Sequence, residues 1–148
     1  MVRHGEAVSA QMDPQRPLSA HGRAEVAELG QLALSRSVRV AELRHSGILR
    51  AQQTAEILAG YLKPPGGVHP SAGMLPEDDP EIVKAEIEVA EQPILLVGHL
   101  PFMGRLAALL VKGQAARSIG EFPPATMLCC AKTAVGWQID WQIAPTSR

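Results

Sequence analysis

Apolar positions along the chain fall into two spacings that alternate with one another. Residues 94–97 form an unbroken apolar run after Pro93 that stops at Gly98, the pattern of a strand covered on both faces. Residues 38–45 read as a second such strand, and residues 1–3 as the remnant of another. Between them the apolar positions shift to helical spacing. A first helix begins at Ser19, whose hydroxyl can cap exposed amides, and carries Val26, Leu29 and Leu32 towards the core. A second covers about 48–62 and ends before the break at Pro64, Pro65, Gly66 and Gly67. A third starts near Asp79, an acidic cap ahead of a proline, and presents Ile82, Val83, Ile87 and Ala90. The fourth runs over 101–111 with Phe102, Leu106, Leu109 and Leu110 as its apolar face. Residues 126–132 and 137–143 then read as a hairpin around Ala134, Val135 and Gly136. Strands that alternate with helices predict an α/β fold: a three-layer αβα sandwich with a mostly parallel central sheet and an antiparallel strand at one side.

Composition narrows the class. A chain of 148 residues, 46% hydrophobic, can bury one core, and the expectation is a single domain over 1–148. The formal charge of −1 argues against nucleic acid or an anionic membrane as partner. No apolar run approaches the roughly 20 residues of a spanning helix, and the first residues lack a leader-like stretch, so a cytoplasmic location is expected. Cys129 and Cys130 are adjacent, which suits neither a loop-closing disulfide nor a metal-ligand spacing, and they read as reduced strand residues.

The chemistry gathers where strands end. In open parallel sheets, ligands bind outside the carboxyl ends of the strands. Two predicted strands end in histidine, Met1-Val2-Arg3-His4 and the run that closes on Gly98-His99, and a third leads into a helix whose first turns hold Arg50. If those strands are neighbours, Arg3, His4, Arg50 and His99 share one small volume. A cluster of that kind calls for a dianion, with phosphate as the obvious candidate. The helix after His99 adds amides and its positive end, and Gly5 allows a tight backbone turn beside the ligand. Guanidiniums around one nucleophile can support phosphoryl transfer without a metal, no aspartate cluster of magnesium-binding type is evident, and no cofactor is expected.

These residues also carry a resemblance. Arg3-His4-Gly5-Glu6, Arg16-Pro17-Leu18-Ser19 with Gly22, residues 46–54 (SGILRAQQT) and Gly98-His99-Leu100-Pro101 occur in the order of the motifs of the histidine phosphatase superfamily, the phosphoglycerate-mutase-like fold. The match spans nearly the whole chain, and the length and closing stretch GWQIDWQIAP resemble most the small bacterial phosphohistidine phosphatases of that superfamily. The resemblance implies that His4 attacks phosphorus and is transiently phosphorylated before water releases phosphate. It implies that Arg3, Arg50 and His99 hold the phosphoryl oxygens, with Arg16 as a further pocket arginine. The expected substrate is phosphohistidine on a signalling or phosphotransfer protein.

Two departures from the family pattern accompany the match. Relatives usually carry several apolar residues before the first motif; here Met1 and Val2 precede it, so a shortened first strand is expected. The proton donor, in many relatives an acidic residue after the third strand, is here a choice among Glu77, Asp78 and Asp79; Asp79 suits a helix cap, leaving Glu77 as the candidate. The stretch from 63 to 92 is too short for a separate helical lid, which favours a protein substrate over an enclosed metabolite. Two further readings stay open: hydrolysis of small phosphate esters at the same site, and a phosphate- or phosphohistidine-binding module without turnover. A metal site between His4 and His99 is disfavoured by the neighbouring arginines. His21, His45 and His69 are expected to be structural or exposed.

Overall fold

A computed structural model describes residues 1–115 and 119–146. Six strands form one sheet in the order β3-β2-β4-β1-β5-β6. These are β1 (Val2–Arg3), β2 (Glu42–His45), β3 (Val68–Pro70), β4 (Ile94–Gly98), β5 (Met127–Thr133) and β6 (Gly136–Ile143). The pairs β1–β4, β2–β4 and β2–β3 are parallel, and β5 runs antiparallel to both β1 and β6. The α/β sandwich anticipated from the alternation is therefore the fold observed. A short strand that the spacing did not reveal, β3, follows the Pro-Gly break, and β2 begins at Glu42 rather than at 38.

Helices α1 (Ala20–Ser35) and α2 (Leu49–Leu62) cover one face of the sheet, where Val26, Leu29 and Leu58 pack on Val2, Leu43, Leu95 and Val97. Helices α3 (Pro80–Val89) and α4 (Phe102–Lys112) cover the other, with Val83, Phe102, Met103 and Leu106 against Leu96 and Leu128. The caps follow the sequence chemistry: Ser19 Oγ accepts from the Gly22 amide, and Asp79 accepts from the Glu81 amide ahead of Pro80. On α3 the expected apolar face is only half buried. Val83 is 1% exposed, but Ile82 is 59% exposed and Ala90 is also at the surface, because a helix at the sheet's flank covers strands with a narrow stripe. Among the described residues no helix is long and apolar enough to cross a membrane. Cys129 and Cys130 are free thiols in β5, their pKa values raised by burial.

The site end of the fold is fixed by close approach of α1. A Cβ placed on Gly22 would lie 2.1 Å from the Glu6 carbonyl oxygen, and one on Gly5 would lie 2.7 Å from Val26 Cγ2. Gly5, expected from the sequence to allow a tight turn beside a ligand, is also a point where α1 presses close and leaves no room for a side chain. Gly22→Ala is expected to lower stability by about 2 kcal/mol through backbone overpacking, whereas Gly60→Ala, in open space on α2, should raise it by up to about 1 kcal/mol. Urea unfolding of the two variants against the parent chain checks the opposite signs.

Candidate active site

The register of three parallel strands assembles the site. Arg3 pairs with Gly98 and the His4 amide donates to the Gly98 carbonyl at 3.0 Å, so His4 and His99 leave adjacent strands side by side. Their ring centroids are 5.0 Å apart at a tilt of 52°. On the other side of β4, His45 pairs with Val97, which sets Ser46 level with the same end. Ser46 Oγ then lies 2.6 Å from His99 Nε2. One helical turn on, Arg50 Nε donates to His4 Nε2 at 3.4 Å.

A hydrogen bond selects the protonation of His4. Its Nδ1 lies 2.7 Å from the Gly5 carbonyl, which can only accept, so Nδ1 carries the proton and Nε2 keeps its lone pair towards Arg50. Ser46 Oγ accepts from the Ile48 amide and lies against His99 Nε2, which orients the His99 ring. Among the described residues His99 Nδ1 is buried without a hydrogen-bond partner.

Burial drives both pKa values down. His4 falls from 6.5 to about 4, mainly through desolvation, opposed by its bond to Gly5 and aided by Arg50, Arg3 and Arg16. His99 falls to about 3, again by desolvation first and then by His4, Arg50 and Arg3. Both rings are neutral at pH 7. Arg50 is itself lowered by burial and by Arg16.

Of the residues anticipated from the sequence, Arg3, His4, Arg16, Arg50 and His99 lie in one electrostatic neighbourhood. Arg16 adopts a left-handed backbone, φ 49°, and its Nε donates to the Val8 carbonyl at 3.0 Å. Arg3 Nη1 donates to the Phe122 carbonyl at 3.1 Å. Glu77 is exposed in the segment between β3 and α3, with no hydrogen bond or ion pair to the cluster. Two supporting residues escaped the sequence reading. Ser46 holds the His99 ring, and Thr54 accepts from the Gly5 amide at 3.0 Å while donating to the Arg50 carbonyl at 2.8 Å. Both sit in the 46–54 stretch, but nothing local tells which hydroxyl faces the site. Of the other histidines, His45 is buried and its Nδ1 accepts from the Gly47 amide. His21 lies 3.4 Å from Glu25 on α1.

The chain that carries these imidazoles and guanidiniums is similar to known proteins. The family model for the histidine phosphatase superfamily (branch 1) matches residues 1–71. The phosphohistidine phosphatase SixA of Escherichia coli (strain K12) is 29% identical over 119 residues, 77% of this chain and 74% of its own length. A solved structure of the protein histidine phosphatase SixA complexed with tungstate superposes with TM-score 0.83 at 26% identity, covering 97% of this chain and 94% of that one. The putative phosphohistidine phosphatase SixA from Agrobacterium tumefaciens shares the fold with TM-score 0.79 at 22% identity, covering 97% and 95%. The chain is thus similar to SixA in sequence and in structure, and its first 71 residues resemble the histidine phosphatase superfamily.

The lowered imidazoles make stability depend on pH. In the unfolded chain His4 and His99 bind protons near 6.5, whereas folded they do so only near 4 and 3. Between those values the unfolded state holds more protons, so stability is full above about pH 6.5 and falls as the pH drops through the window. Urea midpoints at pH 7.5 and 5 should show this loss, and His99→Gln should reduce its size.

Proposed function

We propose that this chain is a phosphatase that works through a covalent phosphohistidine on His4 and takes its phosphoryl group from phosphohistidine on a protein. The observation that carries this reading is the His4 ring, held by Gly5 through Nδ1 so that an unprotonated Nε2 faces Arg50 beside His99. The relatives named phosphohistidine phosphatase support the substrate class, and the tungstate bound by one of them is an oxyanion of phosphate-like shape.

In the reaction, His4 Nε2 forms a bond to phosphorus as the bond from phosphorus to the substrate's imidazole nitrogen breaks. Arg3, Arg50 and His99 hold the equatorial oxygens while charge redistributes, with Arg16 adding to the positive field. Water then attacks the phosphorylated ring, and its oxygen ends on the released phosphate while the N–P electron pair returns to Nε2. A substrate imidazole can leave as a ring that already carries its proton, so the first step needs no strong acid near the leaving group. This suits a site from which Glu77 stands apart. Between Lys63 and Gln92 the chain forms only β3 and α3, with no separate helical lid, in keeping with a substrate presented by another protein.

The test compares wild type and variants on a phosphohistidine-bearing protein and on sugar phosphates. Wild type should turn over the phosphoprotein preferentially and yield an acid-labile phosphoenzyme; His4→Ala should yield neither, and Arg50→Ala should lose about a hundredfold in kcat/KM. The acid limb of kcat/KM should fall near pH 4, where His4 takes up its proton. Preference for the esters would reject the protein substrate, and oxyanion binding without turnover would reject the enzyme reading.

A further inference from the structure

The His99 ring has one anchor. Among the described residues its Nε2 meets Ser46 Oγ at 2.6 Å and its Nδ1 is buried with no hydrogen-bond partner. The main chain is fixed separately, by the Met103 amide on the His99 carbonyl at 2.8 Å. A histidine ring turns about a broad, roughly two-fold torsion, so the backbone alone does not decide which ring nitrogen faces the pocket. Ser46 decides it, and whatever holds Ser46 acts on the site.

Ser46 lies in the turn 46–48, which carries the chain from β2 into α2. Gly47 takes φ 89°, a backbone region that favours glycine, and a Cβ there would meet nothing within 4 Å, so packing at Gly47 does not hold the turn. Helix α2 begins after Ile48, which supplies no capping side chain. Two side chains stitch the turn instead, each bonding an amide two residues ahead. His45 Nδ1 accepts from the Gly47 amide at 3.0 Å, and Ser46 Oγ accepts from the Ile48 amide at 3.2 Å. The Ile48 bond sets where Ser46 Oγ points. The Gly47 bond fixes the peptide that follows Ser46, and with it the backbone on which that hydroxyl is carried.

His45 is anchored well enough to act as the fixed end. It closes β2, pairing with Val97 on β4 and with Pro70 on β3. Its carbonyl accepts from the Ser71 amide at 2.8 Å, and the residue is 5% exposed. An amide can only donate, so His45 Nδ1 carries the lone pair. Burial lowers the His45 pKa, against Glu56 and aided by His69, which keeps that lone pair available at pH 7.

We propose that His45 is a positioning residue for His99: by accepting the Gly47 amide it sets the turn that places Ser46 Oγ against the His99 ring, and so orients that ring towards a bound phosphoryl group. This role rests on His99 holding a phosphoryl oxygen, as the proposed reaction requires. It gives a buried histidine outside the pocket a task that apolar packing does not need, since packing would be met without a nitrogen at this place.

Three substitutions separate the acceptor from the volume. His45→Leu keeps an apolar side chain of branched shape and removes the acceptor. His45→Gln moves the amide oxygen one bond farther out. His45→Asn places Oδ1 as many bonds from the backbone as Nδ1, where it can accept from an amide two residues ahead. Nitrogen NMR of the His99 ring, assigned by the signal lost in His99→Gln, reads the Nε2 hydrogen bond, and Ser46→Ala gives the signal of a ring without it. His45→Leu and His45→Gln should move the Nε2 signal at least halfway to that of Ser46→Ala, and should lower kcat on a phosphohistidine-bearing protein about tenfold with KM changed less than about twofold. His45→Asn should keep the wild-type signal, with kcat within about twofold of wild type. Unmoved Nε2 signals in the Leu and Gln variants overturn the proposal, and so does an Asn variant that behaves as the Leu variant does. Should His45→Leu fail to fold, His45→Gln against His45→Asn makes the same comparison. If wild type releases no phosphate, the phosphatase reading fails, while the ring signal still decides what His45 does.

Discussion

The hydrogen bond from the His4 amide to the Gly98 carbonyl is the constraint on which the site depends. It locks two short strands, distant in sequence, in parallel register, and so turns two strand-end histidines into neighbours 5.0 Å apart. Everything else at this end of the molecule is arranged about that pair. The next register, β2 against β4, delivers Ser46 to His99 and starts α2 so that Arg50 reaches His4. A slip of one residue in β1 would turn Val2 out of the core and His4 away from its partner, so burial and site geometry are enforced together.

The cluster is electrostatically unfinished. Burial keeps both imidazoles neutral, and the arginines reinforce that state instead of sharing protons with it. Positive charge is therefore concentrated on guanidiniums, while one nitrogen of His4 offers a lone pair and one of His99 is left without a partner among the described residues. A tetrahedral oxyanion would supply what this arrangement lacks, which is the physical basis of the phosphoryl chemistry proposed for it.

At its carboxyl end β1 supplies His4 to the site. With two residues in the ladder, β1 owes its placement to packing of Val2, which is fully buried, and to contacts of α1 on Gly5 and Gly22 more than to its own hydrogen bonds. Placement of His4 is thus a tertiary property, supplied by neighbours.

Local chemistry determined much of this protein in advance. Helix starts at Ser19 and Asp79, the buried strand 94–98, the hairpin and the reactive residue types were all legible, because capping, apolar periodicity and turn residues act over a few neighbours. The strand order was not fixed in that way. That β1 sits beside β4, more than ninety residues away, is settled by which apolar faces can be covered simultaneously. The brief β3, the exposed Ile82, the hydroxyls of Ser46 and Thr54, and the crowding at Gly5 were likewise decided only when distant elements met. Short-range interactions choose the pieces and their chemistry, whereas long-range burial chooses their neighbours, and a catalytic site is a statement about neighbours.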